Sequence, residues 1–380
     1  MSVANKNKKD CCGCGVCRNA CPKKCIVMKE DKLGFFYPEV NADSCIECGL
    51  CERVCPFEHH VLNLPRKVYA AWNTDEAAYS RSSSGGAAYA LGSYVIENGG
   101  VVYGCEGNGV EIKHVRVDSI DDLKRLQGSK YVQSNLADIY KNIKSDLESG
   151  KTVLFTGTPC QTAAVRNYVG KKDANLYLVD LICHGVPSMK MLHDHISAIV
   201  PAYLKSSLKD NSSDVSVSFR EGDKYQLKVS AKDFKYCELP HKDTYFRTFL
   251  KGTTYRNSCY HCPFGTNKRA GDLTIGDFWG FTSPEILPQH VNSGLSVMLP
   301  ITEKGLHLME AVGFRMQAIE RTVNEAVAGN DQLNHCVSDS IKAKIFRIAY
   351  SMFSFELSAK IAICPEKLNT LKRMVIARLK

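Results

Sequence analysis

The sequence predicts a small α+β module, then a larger, mostly parallel α/β domain, and finally a helical C-terminal tail. Three observations predict this organisation: two cysteine runs of one spacing fill the start of the chain, strands alternate with helices from Val68 onward, and the last fifty residues have helical patterning. Strands that alternate with helices are typical of a parallel sheet with helices on both faces. The predicted boundaries divide the chain into residues 1–63, 64–150, 151–330 and 331–380.

The amino-acid composition is that of a globular protein and argues against nucleic-acid binding. The chain has 380 residues, of which 44% are hydrophobic and 23% charged, as in ordinary globular proteins. Its net charge is +9, but Lys and Arg are scattered and form no basic stripe with interleaved aromatics, so nucleic-acid binding is not predicted. No apolar stretch approaches the roughly 18 residues of a membrane span, and no secretory signal is visible. The chain has 18 cysteines, and we therefore expect a cytoplasmic protein that uses its cysteines for metal ligation and not for disulfides.

The two cysteine runs share the pattern Cys-x2-Cys-x2-Cys-x3-Cys-Pro. The first run is Cys11, Cys14, Cys17 and Cys21, and the second is Cys45, Cys48, Cys51 and Cys55. This is the ligand pattern of a two-cluster bacterial ferredoxin, in which the fourth cysteine of each run ligates the other cluster. We therefore predict one 4Fe–4S cluster on Cys11, Cys14, Cys17 and Cys55, and another on Cys45, Cys48, Cys51 and Cys21. A zinc domain would show two Cys-x2-Cys pairs instead of two three-cysteine runs, so iron–sulfur ligation is favoured.

The other elements follow in order. Residues 29–41, between the cysteine runs, predict a small hairpin. Predicted strands downstream are 68–72, 101–105, 112–117, 152–156 and 176–182. Predicted helices are one from the 81–86 loop to about residue 98, then 119–126, 136–149 and one that begins after Pro159. Glycines follow two of these helices, where glycine commonly ends a helix. Short strands at 215–219 and 225–231 predict an α+β elaboration.

Four further cysteines predict a second redox centre. Cys160 and Cys183 each follow one of two parallel strands, so we expect both at the sheet edge where open α/β sheets bind ligands. Cys259 and Cys262 add a pair at metal-binding spacing. Four thiolates could hold a third 4Fe–4S cluster or a zinc ion, or they could be buried by chance without a metal.

Two polar loops could bind phosphate. Residues 82–86, Ser-Ser-Ser-Gly-Gly, open a helix and follow Arg81, and residues 127–131 include Lys130. Backbone N–H groups at a helix N-terminus suit a phosphate. Neither loop is a P-loop or a G-x-G-x-x-G motif, so an ordinary Ser/Gly-rich turn explains them equally well.

In this combination and order, the motifs resemble the coenzyme F420 hydrogenase/dehydrogenase beta-subunit family. The shared motifs are the ferredoxin module, SSSGG, GSKYVQS, GTPCQ, DLICHGVPS, SCYHCPF and GDLTIGDFWG. The resemblance covers nearly the whole chain and implies an FAD-binding α/β domain that exchanges electrons with iron–sulfur clusters. It implies that Cys160, Cys183, Cys259 and Cys262 hold a cluster beside the flavin. The implied FAD contacts are Ser82, Ser83, Ser84, Gly85, Gly86, Gly128, Ser129, Lys130 and Tyr131, with Arg81 flanking them.

The expected function is that of an iron–sulfur flavoprotein oxidoreductase acting on an organic substrate or an F420-like cofactor, with a soluble ferredoxin as redox partner. The candidate catalytic residues are His184 and Asp277. His184 could donate a proton, although orienting a loop by a hydrogen bond is the commoner fate of such a histidine. Asp277 and Trp279 follow an apparent strand end and could face the flavin, although Trp279 could equally pack in the core.

Two other functions stay open at this point. One is a non-catalytic relay subunit of a larger redox complex. Bacterial members of the family are often associated with surface-polysaccharide synthesis, so such a complex could take part in that synthesis. The other is a structural or binding module whose clusters only stabilise it. The tail from Ile341 is apolar and basic, which predicts either a helix pair packed on the core or peripheral contact with an anionic membrane.

Overall fold

A computed structural model of the chain describes residue 3 and residues 6–170, 174–205, 215–221, 224–281, 294–363 and 377. At the N-terminal side, β1 (Ile26–Glu30) and β2 (Phe36–Val40) form an antiparallel hairpin, as predicted. The short helices α1 (Val16–Ala20) and α2 (Leu50–Arg53) lie within the two cysteine runs. The internal repeat of the sequence is therefore also a repeat of structure.

An eight-stranded sheet forms the centre of the molecule. Its strands are β3 (Val68–Asn73), β4 (Val101–Asn108), β5 (Glu111–Val117), β6 (Val153–Gly157), β7 (Leu176–Leu181), β11 (Leu273–Asp277), β12 (Ser296–Pro300) and β13 (Met316–Arg321). Their order in space is β13-β3-β12-β11-β7-β6-β4-β5. Strands β3, β11, β7, β6 and β4 run in one direction, while β5, β12 and β13 run in the other. The predicted mostly parallel sheet is thus confirmed, with antiparallel strands towards both edges.

Helices cover both faces of this sheet. They are α3 (Glu76–Ser80), α4 (Ala87–Glu97), α5 (Ile120–Leu123), α6 (Ile139–Glu148), α7 (Pro159–Val169) and α10 (Glu303–Val312). Leu91 of α4 packs in one apolar cluster with Leu154, and Tyr140 of α6 packs in another with Phe155. Because adjacent residues of β6 point to opposite faces, these clusters lie on the two sides of the sheet.

The start of α7 is fixed by its sequence. Thr158 and Gln161 form a capping box, and Pro159 occupies the first helical position, where its missing N–H is not needed. The helix therefore begins immediately after β6 ends, and it carries Cys160 at the same sheet edge as the loop after β7.

A second region packs beside the sheet. It contains the antiparallel strands β8 (Ser216–Glu221), β9 (Lys224–Ala231) and β10 (Phe234–Glu238), and the helices α8 (Met189–Ile199), α9 (Thr244–Leu250), α12 (Ile341–Tyr350) and α13 (Phe355–Ile363). Helix α11 (Val323–Gly329) packs on the central sheet instead, where Ala326 shares an apolar cluster with Val68 and Val297. Phe346 and Phe355, from the tail helices, are buried against Phe246 and Tyr245 of α9.

The tail therefore forms a helix pair on the core over residues 341–363. The alternative prediction, membrane contact, concerns the whole tail from Ile341, and its residues 364–376 and 378–380 lie outside the described residues. Within the part of the chain that the structure describes, no helix is both long enough and apolar enough to cross a membrane.

The N-terminal module is docked on the α/β domain by side-chain hydrogen bonds. Asn19 donates to the carbonyl of Ala137 at 3.0 Å, and Tyr140 donates to the carbonyl of Cys14 at 2.9 Å. Asn167 of α7 donates to the carbonyl of His59 at 2.6 Å. The first cysteine run is thereby held against the sheet edge where α7 begins.

Candidate functional site

A cavity of about 340 Å³ opens at the carboxyl ends of the parallel strands. Its wall contains residues 156–161 after β6, residues 181–186 after β7 and residues 275–277 at the end of β11. In open α/β sheets this edge is the usual position of a ligand site, because the loops there can diverge without disturbing the sheet.

All four cysteines of the predicted second redox centre line this cavity. They are Cys160, Cys183, Cys259 and Cys262. Burial and the neighbouring Cys160 thiol raise the pKa of Cys183 to about 12. Burial followed by the Cys183 and Cys160 thiols raises the pKa of Cys259 as well. The structure thus brings together four thiols that are spread over a hundred residues of sequence.

A buried ion pair holds the Cys259–Cys262 loop in place. Arg269 donates to Asp180 Oδ1 at 2.8 Å and to the carbonyl of Phe264 at 3.2 Å. Asp180 Oδ2 in turn accepts from the backbone N–H groups of Ala270 and Gly271. Because Asp180 lies on β7, three residues before Cys183, this pair ties the Cys-x2-Cys loop to the strand that leads to Cys183.

The two polar loops also meet at the cavity. The backbone N–H of Ser129 donates to Ser83 Oγ at 2.8 Å, and Gln127 Nε2 donates to Ser82 Oγ at 3.3 Å. Gly86 precedes α4 in the left-handed conformation, with a φ of 84°, and no described side chain caps this helix. The first N–H groups of α4 therefore present the positive end of a helix dipole at the cavity wall.

Most, but not all, of the predicted loop contacts line the cavity. Lys130 lines the cavity, and its ammonium group donates to the carbonyls of Leu126 and Gln127 at 2.9 Å each. Burial lowers the pKa of this ammonium group. Arg81 is exposed and does not line the cavity, but it donates to Oε1 of Gln127, which does. Gly85 lies against the sheet, where a Cβ would overlap the Ala71 carbonyl oxygen. The other predicted contacts, Ser82, Ser83, Ser84, Gly86, Gly128, Ser129 and Tyr131, all line the cavity.

The candidate catalytic residues face the same space. His184 is half-buried, and burial lowers its pKa, so its imidazole is neutral near pH 7. Asp277 accepts from Arg220 Nη1 at 2.7 Å. Trp279 is 37% exposed and stacks on Tyr225 with 6.0 Å between ring centroids, so it lines the cavity and not the core.

The cysteines of the N-terminal module group as the two crossed sets. Burial followed by the neighbouring Cys14, Cys11 and Cys55 thiols raises the pKa of Cys17. Cys21 lines a small cavity of about 20 Å³ together with Cys45, Cys48 and Cys51. Among the described residues no three His, Cys, Asp or Glu side chains converge on a single ion position. Cluster ligands need not converge in this way, because each thiolate of a cubane binds its own iron.

Sequence reasoning missed two residues that connect the first cysteine set with the cavity. The Cys12 thiol lies beside the thiols of Cys14 and Cys160, which raise its pKa, and it lines the cavity. Arg256 is buried and donates to the carbonyl of Cys11 at 2.7 Å. The available signals were the Cys11-Cys12 doublet and an arginine three residues before Cys259.

A third missed residue, His114, stands in the cavity wall. Its Nε2–H donates to the Thr156 carbonyl at 2.9 Å, so its Nδ1 accepts from Ser134 Oγ at 3.0 Å. Gln161 Nε2 donates to the same hydroxyl at 3.0 Å. Burial lowers the pKa of His114 to about 4, so it is a neutral, fully hydrogen-bonded wall residue, and nothing in its local sequence indicates this position.

The thiol sets differ in depth. Cys48 is exposed, whereas Cys17 and Cys55 are buried and Cys12 reaches the cavity. The four cavity cysteines are partly buried. Cys12 joins the Cys11–Cys55 set to the cavity, whereas the Cys21–Cys51 set lines a small cavity of its own.

Comparisons with known proteins identify the family. No curated protein matches the chain. A solved structure, that of the xenon-derivatised F420-reducing NiFe hydrogenase complex from Methanosarcina barkeri, is similar at 18% identity and a TM-score of 0.46, covering 83% of this chain and 93% of that one. Residues 10–59 match a 4Fe-4S dicluster domain, and residues 150–322 match the family model for the C terminus of the coenzyme F420 hydrogenase/dehydrogenase beta subunit. Residues 150–322 are therefore a C-terminal domain of the coenzyme F420 hydrogenase/dehydrogenase beta-subunit family, and a 4Fe-4S dicluster domain precedes it in the chain.

Proposed function

We propose that this chain is an iron–sulfur flavoprotein oxidoreductase that exchanges electrons between 4Fe–4S clusters and an FAD in the cavity at the sheet edge. One observation carries the proposal: the four cavity cysteines and the two polar loops line the same space. The four cysteines could hold a cluster on one side of the cavity, and the N-terminus of α4 could bind phosphate on the other side. A dinucleotide cofactor bound at that N-terminus would then lie next to the cluster.

The residues present fit FAD. The uncapped N-terminus of α4, with Ser83 and Gly86, offers N–H and hydroxyl donors to a diphosphate, and Gly128 gives close backbone approach. Lys130 adds a cation that is already anchored by two carbonyls, so it stabilises a bound anion by charge without moving. When bound, the flavin would supply the chemistry that links one-electron with two-electron transfer.

The cavity cysteines also fit a third 4Fe–4S cluster. Four partly buried thiols are brought together from the start of helix α7 and from two loops. Cys160 is the second residue of the eleven-residue helix α7, whose positive end favours the thiolate form of a ligand.

His184 and Asp277 take different parts in this proposal. His184 is a neutral imidazole that can accept or deliver a proton at the substrate. Asp277 is bound to Arg220 at 2.7 Å, and the guanidinium lies 4.7 Å from the centre of the Tyr225 ring. The Asp277 carboxyl group is therefore held in place by Arg220 as a positioning group, and we assign proton transfer to His184 alone.

The position of the thiol sets supports electron uptake at the exposed Cys48 from a redox partner such as ferredoxin. Val27 and Ile46, which are 58% and 56% exposed, lie in the same module, and Ile46 lines the small cavity with Cys48. Exposed apolar residues beside a redox centre also suit a permanent protein partner, which keeps the relay subunit as a second candidate.

Anaerobic purification followed by cofactor analysis tests the proposal. We expect FAD, and about twelve irons per chain because three four-thiolate sets are present. The double variant Cys259→Ser, Cys262→Ser should lower iron by about four, while Cys237→Ser, an exposed cysteine on β10, should leave it unchanged. FMN alone, or no flavin after reconstitution, would contradict the assignment of FAD, and unchanged iron in the double variant would contradict the third cluster.

Turnover separates the two candidate functions. The purified chain with a chemical reductant and a small organic acceptor should turn over if it is an oxidoreductase. Activity that arises only in a complex with other subunits would indicate the relay subunit.

A further inference from the structure

We propose that Arg256 raises the reduction potentials of two clusters, because its buried positive charge lies between them. These are the first cluster, on Cys11, Cys14, Cys17 and Cys55, and the proposed cavity cluster. The first half of this inference needs only the dicluster domain, and the second half rests on the proposed cavity cluster.

The Arg256 guanidinium is enclosed by neutral groups. Its side chain is 1% exposed. Nε donates to the Cys11 carbonyl and Nη2 to the Phe36 carbonyl, both at 2.7 Å, and Nη1 donates to Gln133 Oε1 at 3.2 Å. The guanidinium also lies 4.2 Å from the centre of the Tyr37 ring. These contacts satisfy its hydrogen bonds but do not neutralise its charge.

No carboxylate of the described chain forms an ion pair with Arg256, although its charge is buried. Burying an unpaired charge is strongly unfavourable, so a buried cation needs an anionic partner nearby. The groups that can supply one are cysteine sulfurs: Cys11 Sγ lies 3.9 Å from Nη2, and the Cys12 and Cys259 thiols also interact electrostatically with the guanidinium. Four thiolates around an iron–sulfur core give a net negative charge, so bound clusters at both positions would supply the missing countercharge.

The contact with the first cysteine run is close. Gly13 has a φ of 67°, and a Cβ at this position would lie 2.6 Å from Arg256 Nη1. The glycine thus lets the ligand loop pass directly over the guanidinium. Arginine stays protonated at all accessible pH values, so this charge is constant during electron transfer.

A fixed positive charge favours the more negative, reduced form of a nearby cluster. Each reduction adds one electron, taken from the donor, and needs no proton from Arg256. Removing the charge should therefore shift the midpoint potential of both neighbouring clusters to more negative values, while the distant Cys21–Cys51 cluster is unaffected.

Lys6 provides a matched control, because its ammonium group lies 3.1 Å from Cys55 Sγ, at another ligand of the first cluster. Its ionised neighbours are Glu58 and Cys55, and none of the cavity cysteines. Loss of the Lys6 charge should therefore shift the first cluster only.

The experiment is an anaerobic potentiometric titration of the whole protein, followed by electron paramagnetic resonance, on the wild type and the Arg256→Gln, Arg256→Lys and Lys6→Gln variants. We expect Arg256→Gln to lower the midpoints of the first and cavity clusters, Arg256→Lys to stay close to the wild type, and Lys6→Gln to lower the first cluster alone. Unchanged midpoints in Arg256→Gln, or equal shifts in Arg256→Gln and Arg256→Lys, would overturn the proposal.

Iron content covers the case in which a variant assembles poorly. If Arg256→Gln loses clusters while Arg256→Lys keeps them, the charge is required and the proposal stands; if both lose them equally, the shape of the guanidinium matters and the proposal fails. A wild-type protein without a cavity cluster would contradict the proposed third cluster, and the shift of the first cluster would still decide the role of Arg256.

Discussion

The Cys12 thiol contacts the thiols of Cys14 and Cys160. It therefore bridges a ligand of the first predicted cluster and a cysteine of the cavity. Hydrogen bonds from Gln133 to the Cys12 carbonyl and from Tyr140 to the Cys14 carbonyl, at 2.8 and 2.9 Å, hold this stretch of backbone in position. The dicluster domain is thus fixed to the wall of the cavity, which distinguishes it from a loosely tethered carrier.

We predict that Cys12→Ala slows electron transfer from the dicluster domain to the cavity without loss of iron. Cys12 is not one of the assigned cluster ligands, but its sulfur lies between two of them, Cys14 and Cys160. The stability cost should be about 1 kcal/mol, as for a typical buried substitution. The measurement is stopped-flow reduction of the cavity cofactor, with iron content determined in parallel.

Cys105→Ala is the control for this prediction, since Cys105 lines the same cavity from β4 and has no contact of this kind with Cys14. If both variants transfer electrons at the wild-type rate, the Cys12 contact has no role in the route. If Cys12→Ala loses about four irons, Cys12 is itself a ligand.

Asp180→Asn should destabilise the protein by about 3–5 kcal/mol, because it leaves the buried Arg269 without its anionic partner. It should also loosen the loop that carries Cys259 and Cys262, and so reduce iron at the cavity. The measurement is the urea midpoint of anaerobic protein together with its iron content. Glu39→Gln, which breaks the exposed pair with Lys29, should change stability by less than about 1 kcal/mol. Equal effects of the two variants would contradict the anchoring role of Asp180.

The parts of the fold that the sequence predicts well are those encoded locally. The spacing of the cysteine runs, the hairpin between them and the strand–helix–strand unit around Pro159 depend on patterns a few residues long. By contrast, β12 (Ser296–Pro300) inserts antiparallel between β3 and β11, strands that are distant in sequence. A five-residue apolar run is compatible with several positions in a sheet, so its partners could not be predicted.

In the candidate site, too, the features encoded locally could be predicted, and those that depend on distant residues could not. Sequence position relative to strand ends was sufficient to group Cys160 with Cys183, because parallel strands end at one edge. It could not separate the roles of neighbouring glycines: Gly86 adopts a left-handed turn at the cavity, whereas Gly85 is needed because the sheet passes close behind it. Arg256 escaped detection because its partners, Cys11, Phe36 and Gln133, are all more than a hundred residues away.

The stability of the second region should depend on pH through His195. Burial alone would lower the pKa of His195, but its hydrogen bonds to Asp243 and Glu356 outweigh burial and raise the pKa to about 9. The unfolded chain should titrate near 6.5, so this stabilisation is complete below about pH 6.5 and is lost as the pH rises through about 9. The difference corresponds to about 3 kcal/mol.

Urea unfolding of anaerobic protein between about pH 6.5 and 9.5 checks this prediction. The free energy of unfolding should fall over this range in the wild type. His195→Gln should be less stable at the lower pH and nearly independent of pH, because it has no titrating group at the site. A steeper loss of stability in the variant than in the wild type would contradict the assignment.

Electrons from ferredoxin should enter the protein at the cluster that Cys48 ligates. Cys48→Ser should abolish reduction of the cavity flavin by reduced ferredoxin, yet spare its reduction by a small-molecule hydride donor. The physical reason is the position of the thiol sets: Cys48 is exposed and belongs to the set that lines a separate small cavity, while Cys12, beside Cys14, lines the large cavity. Loss of the outer cluster should therefore interrupt uptake without disturbing the flavin site.

Stopped-flow bleaching of the flavin with each donor, on Cys48→Ser protein shown to retain flavin, separates the possible outcomes, and Cys237→Ser serves as the exposed-cysteine control. Failure of both donors with flavin still bound would mean that the dicluster domain is structurally part of the flavin site, as its docking through Asn19 and Tyr140 would allow. A normal rate with ferredoxin would mean that electrons bypass the outer cluster. Electrons would then enter through the proposed cavity cluster directly, whose four cysteines are only partly buried.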